Sequence, residues 1–116
     1  MMDQPSIREL VDAVRDFLEK RAMPELKGHT AFHARVAANA LGIVSRQLEH
    51  GAEMDAAELE RLTALLGHDG TLDALNRELC AAIRGGLDSP TVRDHLERTV
   101  RDKVAVDQPN YAGARR

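Results

Sequence analysis

Hydrophobic residues recur every three or four positions along most of the chain, the spacing that gathers them on one face of an α-helix. The first such stretch begins at Ser6 and Glu9, which are spaced as a capping box at a helix N-terminus. Because Pro24 cannot continue a helix, we expect this one to end near Arg21 or Ala22. Its apolar face comprises Ile7, Leu10, Val11, Val14 and Leu18.

Four further helices are predicted from the same spacing and from local start and stop signals. The second runs from about Thr30 to Glu49 with Gly51 as its stop, and the third follows a capping signal at Asp55. N-cap hydroxyls, glycines and prolines bound the last two helices. These are Thr71, Gly85 and Gly86 for the fourth helix, and Ser89, Pro90 and Pro109 for the fifth.

The expected fold class is all-α, a compact bundle of about five helices with up-and-down connections. No segment shows the sustained alternation that is typical of a strand. Residues 1–109 are expected to form one helical-bundle domain and residues 110–116 a mobile C-terminal tail. We expect the fifth helix to present an apolar face made of Val92, Leu96, Val100 and Val104.

The second helix differs from the others because its polar face is narrow. Ala34, Ala38 and Ser45, all small, lie beside a wide apolar face. A helix that is apolar or small nearly all round is usually buried, which would make this one the centre of the bundle. Alternatively, part of the surface is exposed in the free chain and covered by another protein. The apolar face is Phe32, Val36, Ala40, Leu41, Ile43, Val44 and Leu48, and the polar stripe is Arg35, Asn39 and Arg46.

Two polar residues on these helices allow a structural or an interfacial interpretation. The guanidinium of Arg35 is a rigid fork of donors that suits a carboxylate or phosphate on a partner. Since buried charges need counter-charges, Arg35 can equally pair with an acid of the bundle. Asn76 borders the apolar face of the fourth helix, where we expect a hydrogen bond within the bundle or at an interface. The acids with which Arg35 could pair are Glu9, Asp12 and Glu78.

The net charge of −3 is spread over mixed acids and bases, without the basic block expected of a nucleic-acid-binding protein. Aromatic residues are scarce, so the core must be built from aliphatic side chains. Cys80 is the single cysteine, which excludes an internal disulfide and favours a reducing compartment. With no signal peptide and no membrane-spanning apolar run, we expect a cytoplasmic protein without membrane or nucleic-acid partners.

Residue combinations that carry catalysis or bind metal are weakly represented. His29 and His33 are four residues apart, but a metal site needs three or four ligands. His68 and Asp69 form the dipeptide of metal-dependent phosphohydrolases, yet they lie between glycines, where such residues are ordinary in turns. Cys80 is late in its helix, where the dipole disfavours a thiolate, so we expect a core residue. We therefore predict no catalytic residues, no metal and no cofactor.

Two segments resemble the signature of a bacterial family of small helical proteins, the DUF6285-type family, long catalogued as a domain of unknown function. They are residues 31–41, Ala-Phe-His-Ala-Arg-Val-Ala-Ala-Asn-Ala-Leu, and residues 75–79, Leu-Asn-Arg-Glu-Leu. Pro5 with residues 9–11, and residues 100–103, match the same pattern. The resemblance therefore spans nearly the whole chain, to about Tyr111.

Members of this family resemble the small accessory subunit of a two-component 4-hydroxyacyl-CoA kinase, as in levulinate catabolism. The large subunit of that enzyme has the aminoglycoside-phosphotransferase type of kinase fold. The resemblance implies a non-catalytic subunit that binds and supports such a kinase, and it implies no catalytic residues here. The candidates for partner contact or structural roles are Phe32, Arg35, Asn39, Arg46 and Asn76.

Two other functions stay open. The first is a self-associating helical domain that binds a small acyl or CoA ligand in an apolar groove beside Arg35 and Arg46. The second is an independent phosphohydrolase that uses His68 and Asp69. A homodimer is a further expectation, because an apolar partner-binding face tends to become buried by association.

Overall fold

The computed structural model describes residues 4–111, and within that range the chain forms helices and no strands. The first helix, α1, is Ile7–Phe17, and it continues through a π-helical turn, Leu18–Ala22, into a short helical turn, Met23–Glu25. Then come α2, Gly28–Leu66, α3, Leu72–Arg84, and α4, Pro90–Asp107. The all-α class is confirmed. The expected number of about five helices is wrong, since the described residues form four.

The helix boundary predicted at Gly51 is absent, because α2 continues through this residue and is 39 residues long in total. A helix that ends on glycine usually places it in a left-handed conformation. Gly51 does not have a positive φ, and it is buried. A glycine inside a helix costs about 1 kcal/mol relative to alanine, which packing along so long a helix can offset. Asp55, the expected N-cap, is therefore an exposed residue of the helix interior.

The predicted capping signals are confirmed at three helix starts. The Ser6 hydroxyl accepts from the Glu9 amide while the Glu9 carboxylate accepts from the Ser6 amide, a complete capping box. Thr71 accepts from the amide of Ala74 at 3.1 Å, and Ser89 accepts from the amide three residues on. Gly86, with φ of 106°, follows the C-cap of α3 in a conformation that disfavours other residues.

Pro24 changes the helix before it without ending it there. Proline has no N–H to donate to the carbonyl four residues earlier, so a regular α-helix cannot pass through it unaltered. The preceding turn widens instead, and the amide of Met23 donates to the carbonyl of Leu18, five residues back. The helical path thus extends to Glu25, slightly beyond the predicted end at Arg21 or Ala22.

The described chain divides into two compact units, a first unit of residues 4–50 and a second unit of residues 51–111. Helix α2 contributes residues 28–50 to the first and 51–66 to the second. The predictions of one domain over residues 1–109 and of a mobile tail stay predictions, and residues 112–116 of that tail lie outside the described range. No helix among the described residues has the length and apolarity that crossing a membrane requires.

The first unit pairs α1 with the N-terminal part of α2 through small residues. Arg8, early in α1, reaches Ser45 and Glu49 of α2 at 3.2 Å and 2.7 Å. Arg15, about two turns later in α1, lies beside Gly42, which precedes Ser45 in α2. The two helices therefore run antiparallel. The α2 residues that are buried in this unit are all small, which permits close approach of the two backbones. They are Ala34, Ala38, Gly42 and Ser45.

The second unit has the aliphatic core that the composition predicts. Leucines from α2 and α3 meet Val92 of α4, and Leu62 and Leu75 are almost completely buried. Burying side chains of this size contributes about 1.5–3 kcal/mol each before entropic costs. The core is Leu62, Leu75, Leu79 and Val92, and the partly buried residues around it are Leu59, Leu65, Leu66, Leu72 and Ile83.

The face of α4 that packs inward is rotated from the predicted one. Leu96 and Val100 were expected inside and are exposed, whereas His95 and Val106 are buried. Spacings of three and four from Val92 are consistent with either face, so the apolar pattern alone could not decide between them. A hydrogen bond from Arg61 of α2 holds His95 in the interface.

Candidate functional site

Three of the predicted partner-binding residues lie together on one exposed stripe of α2. Phe32, Arg35 and Asn39 follow one another at spacings of three and four, which places them on one side of the helix. All three are exposed, and Phe32 has 58% of its surface accessible. Its ring packs edge-to-face against His33, with centroids 5.6 Å apart. We call these three residues the Phe32 stripe.

Arg35 does not form an ion pair with an acid of the bundle, which was one of the two roles predicted for it. None of the ion pairs found within residues 4–111 includes it, and Glu9, Asp12 and Glu78 have other partners. Its guanidinium is therefore presented to solvent with its donors available for a carboxylate or phosphate. Desolvating that group on binding would cost free energy unless a partner supplies such an acceptor.

Arg46 lies at the contact between α1 and α2 rather than on the exposed stripe. It is half-buried, and its Nη1 atom is 3.2 Å from where a side chain on Gly42 would begin. The guanidinium carbon of Arg15 is 3.3 Å from the same point, and Arg15 pairs with Glu19 at 3.1 Å. The absence of a side chain at Gly42 thus makes room for two arginines over one helix face. This geometry favours a structural role for Arg46.

Asn76 also has an internal partner. Its side-chain amide donates to Glu58 across 2.9 Å, which ties α3 to α2 within the second unit. This confirms the expected hydrogen bond and places Asn76 in a different unit from the Phe32 stripe. Its contact stabilises packing, since a half-buried amide left without a partner costs free energy.

Large apolar side chains of the first unit point outward, the reverse of the usual arrangement. The wide apolar face predicted on α2 is largely exposed, and its small residues are the buried ones. The alanines are buried, as the interpretation of a buried helix expected, whereas the larger residues are accessible. Coverage of these residues by another protein stays a prediction. The exposed large residues of this unit are Ile7, Leu10, Val14, Phe17, Phe32, Val36, Val44 and Leu48.

A polar network that the sequence did not predict links α2 to α4. Arg61 donates from Nε to Nδ1 of His95 at 3.0 Å and from Nη2 to the hydroxyl of Thr99 at 3.2 Å. His95 is 98% buried, since only 2% of its surface is accessible. Its burial lowers the pKa of the imidazole below 6.5, and the positive charge of Arg61 lowers it further. The neutral ring that results is the form that can accept from the arginine.

This network borders a cavity of about 280 Å³ in the second unit. Ala64 and Leu65 provide apolar lining, and Arg98 at its edge pairs with Asp94 at 3.0 Å. Arg61 takes part in no ion pair found within residues 4–111, so it is the available positive charge here. The cavity suits a small amphipathic anion. Its lining is Arg61, Ala64, Leu65, Thr91, Asp94, His95 and Arg98.

The dipeptide His68-Asp69 is organised by an ion pair. Nε2 of His68 lies 2.9 Å from both carboxylate oxygens of Glu78, and Nδ1 lies 3.0 Å from the carbonyl of Asp69. The hydrogen bond with Glu78 raises the pKa of His68 above 6.5. Residues 4–111 contain no group of three or more His, Cys, Asp or Glu residues placed to hold a metal ion.

Cys80 was expected in the core and is exposed. The reason is its position on α3, where the buried residues are Leu75 and Leu79 and the next residue faces away. The network of Arg61, by contrast, left only a faint signal in the sequence. His95 and Thr99 are four residues apart, which puts two polar groups on one face of α4.

Comparison with protein families places most of the chain in a known family. The model of a family described as a domain of unknown function, DUF6285, matches residues 24–111. That range contains α2, α3 and α4, and with them the Phe32 stripe, the Arg61 network and Asn76. No curated protein and no solved structure matches the chain.

Proposed function

This chain belongs to the DUF6285 family, and we propose that it is a non-catalytic accessory subunit that binds a kinase of the aminoglycoside-phosphotransferase fold. The proposed kinase acts on hydroxyacyl-CoA substrates. The proposal combines the resemblance of residues 31–41 and 75–79 to such subunits with one structural observation, the exposed Phe32 stripe. In this account the chain supplies binding surface, and the kinase supplies the phosphotransfer chemistry.

The Phe32 stripe has the composition of an interaction hot spot. Aromatic and arginine side chains are enriched among the residues that dominate binding free energies. Phe32 offers an apolar anchor, and Arg35, three residues later, offers donors for a carboxylate of the partner. Asn39 extends the same stripe by one turn with a neutral donor and acceptor. These three residues are therefore the proposed centre of the kinase contact.

Co-expression with a kinase of this type from the same organism tests the proposal. The two chains are expected to purify as one complex, and the complex is expected to phosphorylate 4-hydroxyacyl-CoA faster than the kinase alone. Phosphorylated product measured by mass spectrometry at equal kinase concentration gives the comparison. A kinase that purifies alone with full activity would contradict the proposal.

A second candidate function is the binding of a small acyl or CoA ligand, and the cavity beside Arg61 favours it. Its volume is near the lower end of the range of about 300–1,000 Å³ typical of ligand pockets. Arg61 would pair with a carboxylate or phosphate while Ala64 and Leu65 contact a short apolar chain. This site differs from the groove beside Arg35 and Arg46 expected from the sequence.

Calorimetry on the isolated chain decides this second candidate. Titration with acetyl-CoA, butyryl-CoA and free 4-hydroxypentanoate is expected to release or absorb heat if the cavity binds such anions. Arg61→Met should then weaken binding about tenfold or more, because a charge-assisted hydrogen bond is lost. Arg77→Met, which alters an exposed arginine of α3, is the matched control. The absence of heat across the series would exclude the candidate.

A further inference from the structure

The outer face of α1 carries apolar residues at the spacing of a coiled-coil seam. Ile7, Leu10, Val14 and Phe17 follow one another at intervals of three, four and three, which corresponds to positions a, d, a and d of a heptad. They are exposed by 59%, 41%, 51% and 58%, respectively. We call these four residues the α1 seam. Since α1 contacts α2 through Arg8 and Arg15, the seam is a second face of the same helix.

Two apolar residues of α2 lie at the level of this seam. Arg8 reaches Ser45 and Glu49, so the neighbouring Val44 and Leu48 are beside the start of α1. Both are exposed, by 44% and 45%. The accessible apolar surface of these two residues and the α1 seam is on the order of 500 Å² if each side chain has the surface area ordinary for its type. Monomeric proteins rarely expose a patch of more than a few hundred Å².

We propose that a second copy of this chain covers the α1 seam, pairing α1 with α1 in antiparallel orientation. A stable interface buries about 800 Å² per partner, of which about 65% is apolar in homodimers. The apolar surface on the seam and its two neighbours matches that requirement. The pair of helices in each first unit then contributes half of a four-helix bundle.

The sequence of the seam is compatible with self-pairing. In an antiparallel register centred near residue 12, Ile7 of one copy lies opposite Phe17 of the other, and Leu10 lies opposite Val14. Charged residues at the flanking e and g positions usually set partner choice, and like charges there repel. The flanking positions of the seam carry only one charged residue. They are Ser6, Val11, Ala13, Leu18 and Lys20.

The proposed dimer goes beyond the accessory function and does not rest on it. The Phe32 stripe is on another side of α2, since Phe32 is about 120° or more from Val44 and Leu48 around the helix. A dimer formed through the α1 seam therefore leaves Phe32, Arg35 and Asn39 accessible to a kinase. Each contact can be removed without the other.

Light scattering during size-exclusion chromatography of the full chain tests the proposal. The wild-type chain is expected to elute with the mass of two copies. Leu10→Glu places a charge in the seam and is expected to weaken the dimer about tenfold or more, giving the mass of one copy. Phe32→Glu, a matched change outside the seam, is expected to leave the dimer intact. Equal far-UV circular dichroism shows that both variants fold.

Cross-linking gives an independent readout that does not depend on a destabilising variant. In a Cys80→Ser background, Ala13→Cys borders the seam near its centre and is expected to form a covalent dimer on mild oxidation. Asp16→Cys, which lies on another side of α1, is the control and is expected to stay largely monomeric. A wild-type chain with the mass of one copy at its highest soluble concentration would overturn the proposal. Equal cross-linking of both cysteine variants would also overturn it.

Discussion

Individual polar contacts, rather than hydrophobic spacing, decide which face of α4 is buried. Arg61 donates to both His95 and Thr99, and each acceptor is on the inward face. The imidazole is almost fully buried, so its charged form is disfavoured by loss of solvent and by the adjacent guanidinium. The fold therefore depends on a neutral histidine at this position, which makes its stability sensitive to acid.

The pH dependence of unfolding follows from the lowered pKa of His95. The unfolded chain binds a proton near pH 6.5, whereas the folded chain binds it only at lower pH. The neutral form of His95 therefore makes its full contribution to the free energy of unfolding above about pH 6.5. This contribution is lost as the pH falls through the folded-state pKa of His95. Urea unfolding at about pH 7.5 and 5.5 should show a larger loss for the wild type than for His95→Asn. The asparagine oxygen keeps an acceptor for Arg61, and an equal loss in both proteins would contradict this assignment.

His68 is expected to titrate in the opposite direction. Its hydrogen bond with Glu78 raises the pKa of His68 above 6.5. The pairing therefore stabilises the folded chain below pH 6.5, and this stabilisation is lost as the pH rises through the folded-state pKa. A proton NMR titration of the His68 ring should show a midpoint above that of the same residue in Glu78→Gln. Glu60→Gln, an exposed glutamate elsewhere in the second unit, should leave the midpoint unchanged. Coincident midpoints in wild type and Glu78→Gln would show that the pairing does not form in solution.

At the scale of the helix, α2 packs in the first unit through its smallest residues. Ala38 has 1% of its surface accessible and Ala34 has 8%, while Val36 between them is about half exposed. Close approach of α1 leaves room for small side chains only, and the contacts of Arg8 and Arg15 show that α1 lies against this part of α2. The exposure of larger residues is thus a consequence of this close contact.

Two neighbouring alanines provide a matched test of this packing. Ala38→Leu adds volume inside the contact and is expected to destabilise the chain by about 1–3 kcal/mol, because a packed interface accommodates it only by strain. Ala37→Leu makes the same change one position away, where the residue is exposed, and should alter stability by less than about 0.5 kcal/mol. Chemical unfolding monitored by circular dichroism gives both values. If the two variants are equally stable, α1 does not pack on α2 as described.

Much of the helical architecture could be predicted from local signals. Ser6, Thr71 and Ser89 act as N-caps because hydroxyl oxygens satisfy free amides in a way that depends only on neighbouring residues. The continuity of α2 through Gly51 could not be predicted, because it depends on packing along the helix. The buried Arg61 network could not be predicted for the same reason, because hydrophobic spacing does not show which polar groups meet between packed helices.

Across the whole molecule, the two units differ in how much of their apolar surface is buried. The second unit buries its leucines in a core of its own, whereas the first unit leaves large apolar residues accessible on two sides. Apolar surface of this extent is normally covered by another protein. We assign the α1 seam to a second copy of the chain and the Phe32 stripe to the proposed kinase. Both proposed contacts are then made by the first unit.

Calorimetric titration of the kinase with the Arg35→Glu variant tests the proposed contact at the Phe32 stripe. Reversing the charge of an exposed hot-spot arginine is expected to weaken kinase binding about tenfold or more, since its acceptor would then face a like charge. Arg77→Glu reverses another exposed arginine, on α3, and is expected to bind as the wild type does. Equal affinities of Arg35→Glu and the wild type for the kinase would contradict the proposed contact at the Phe32 stripe.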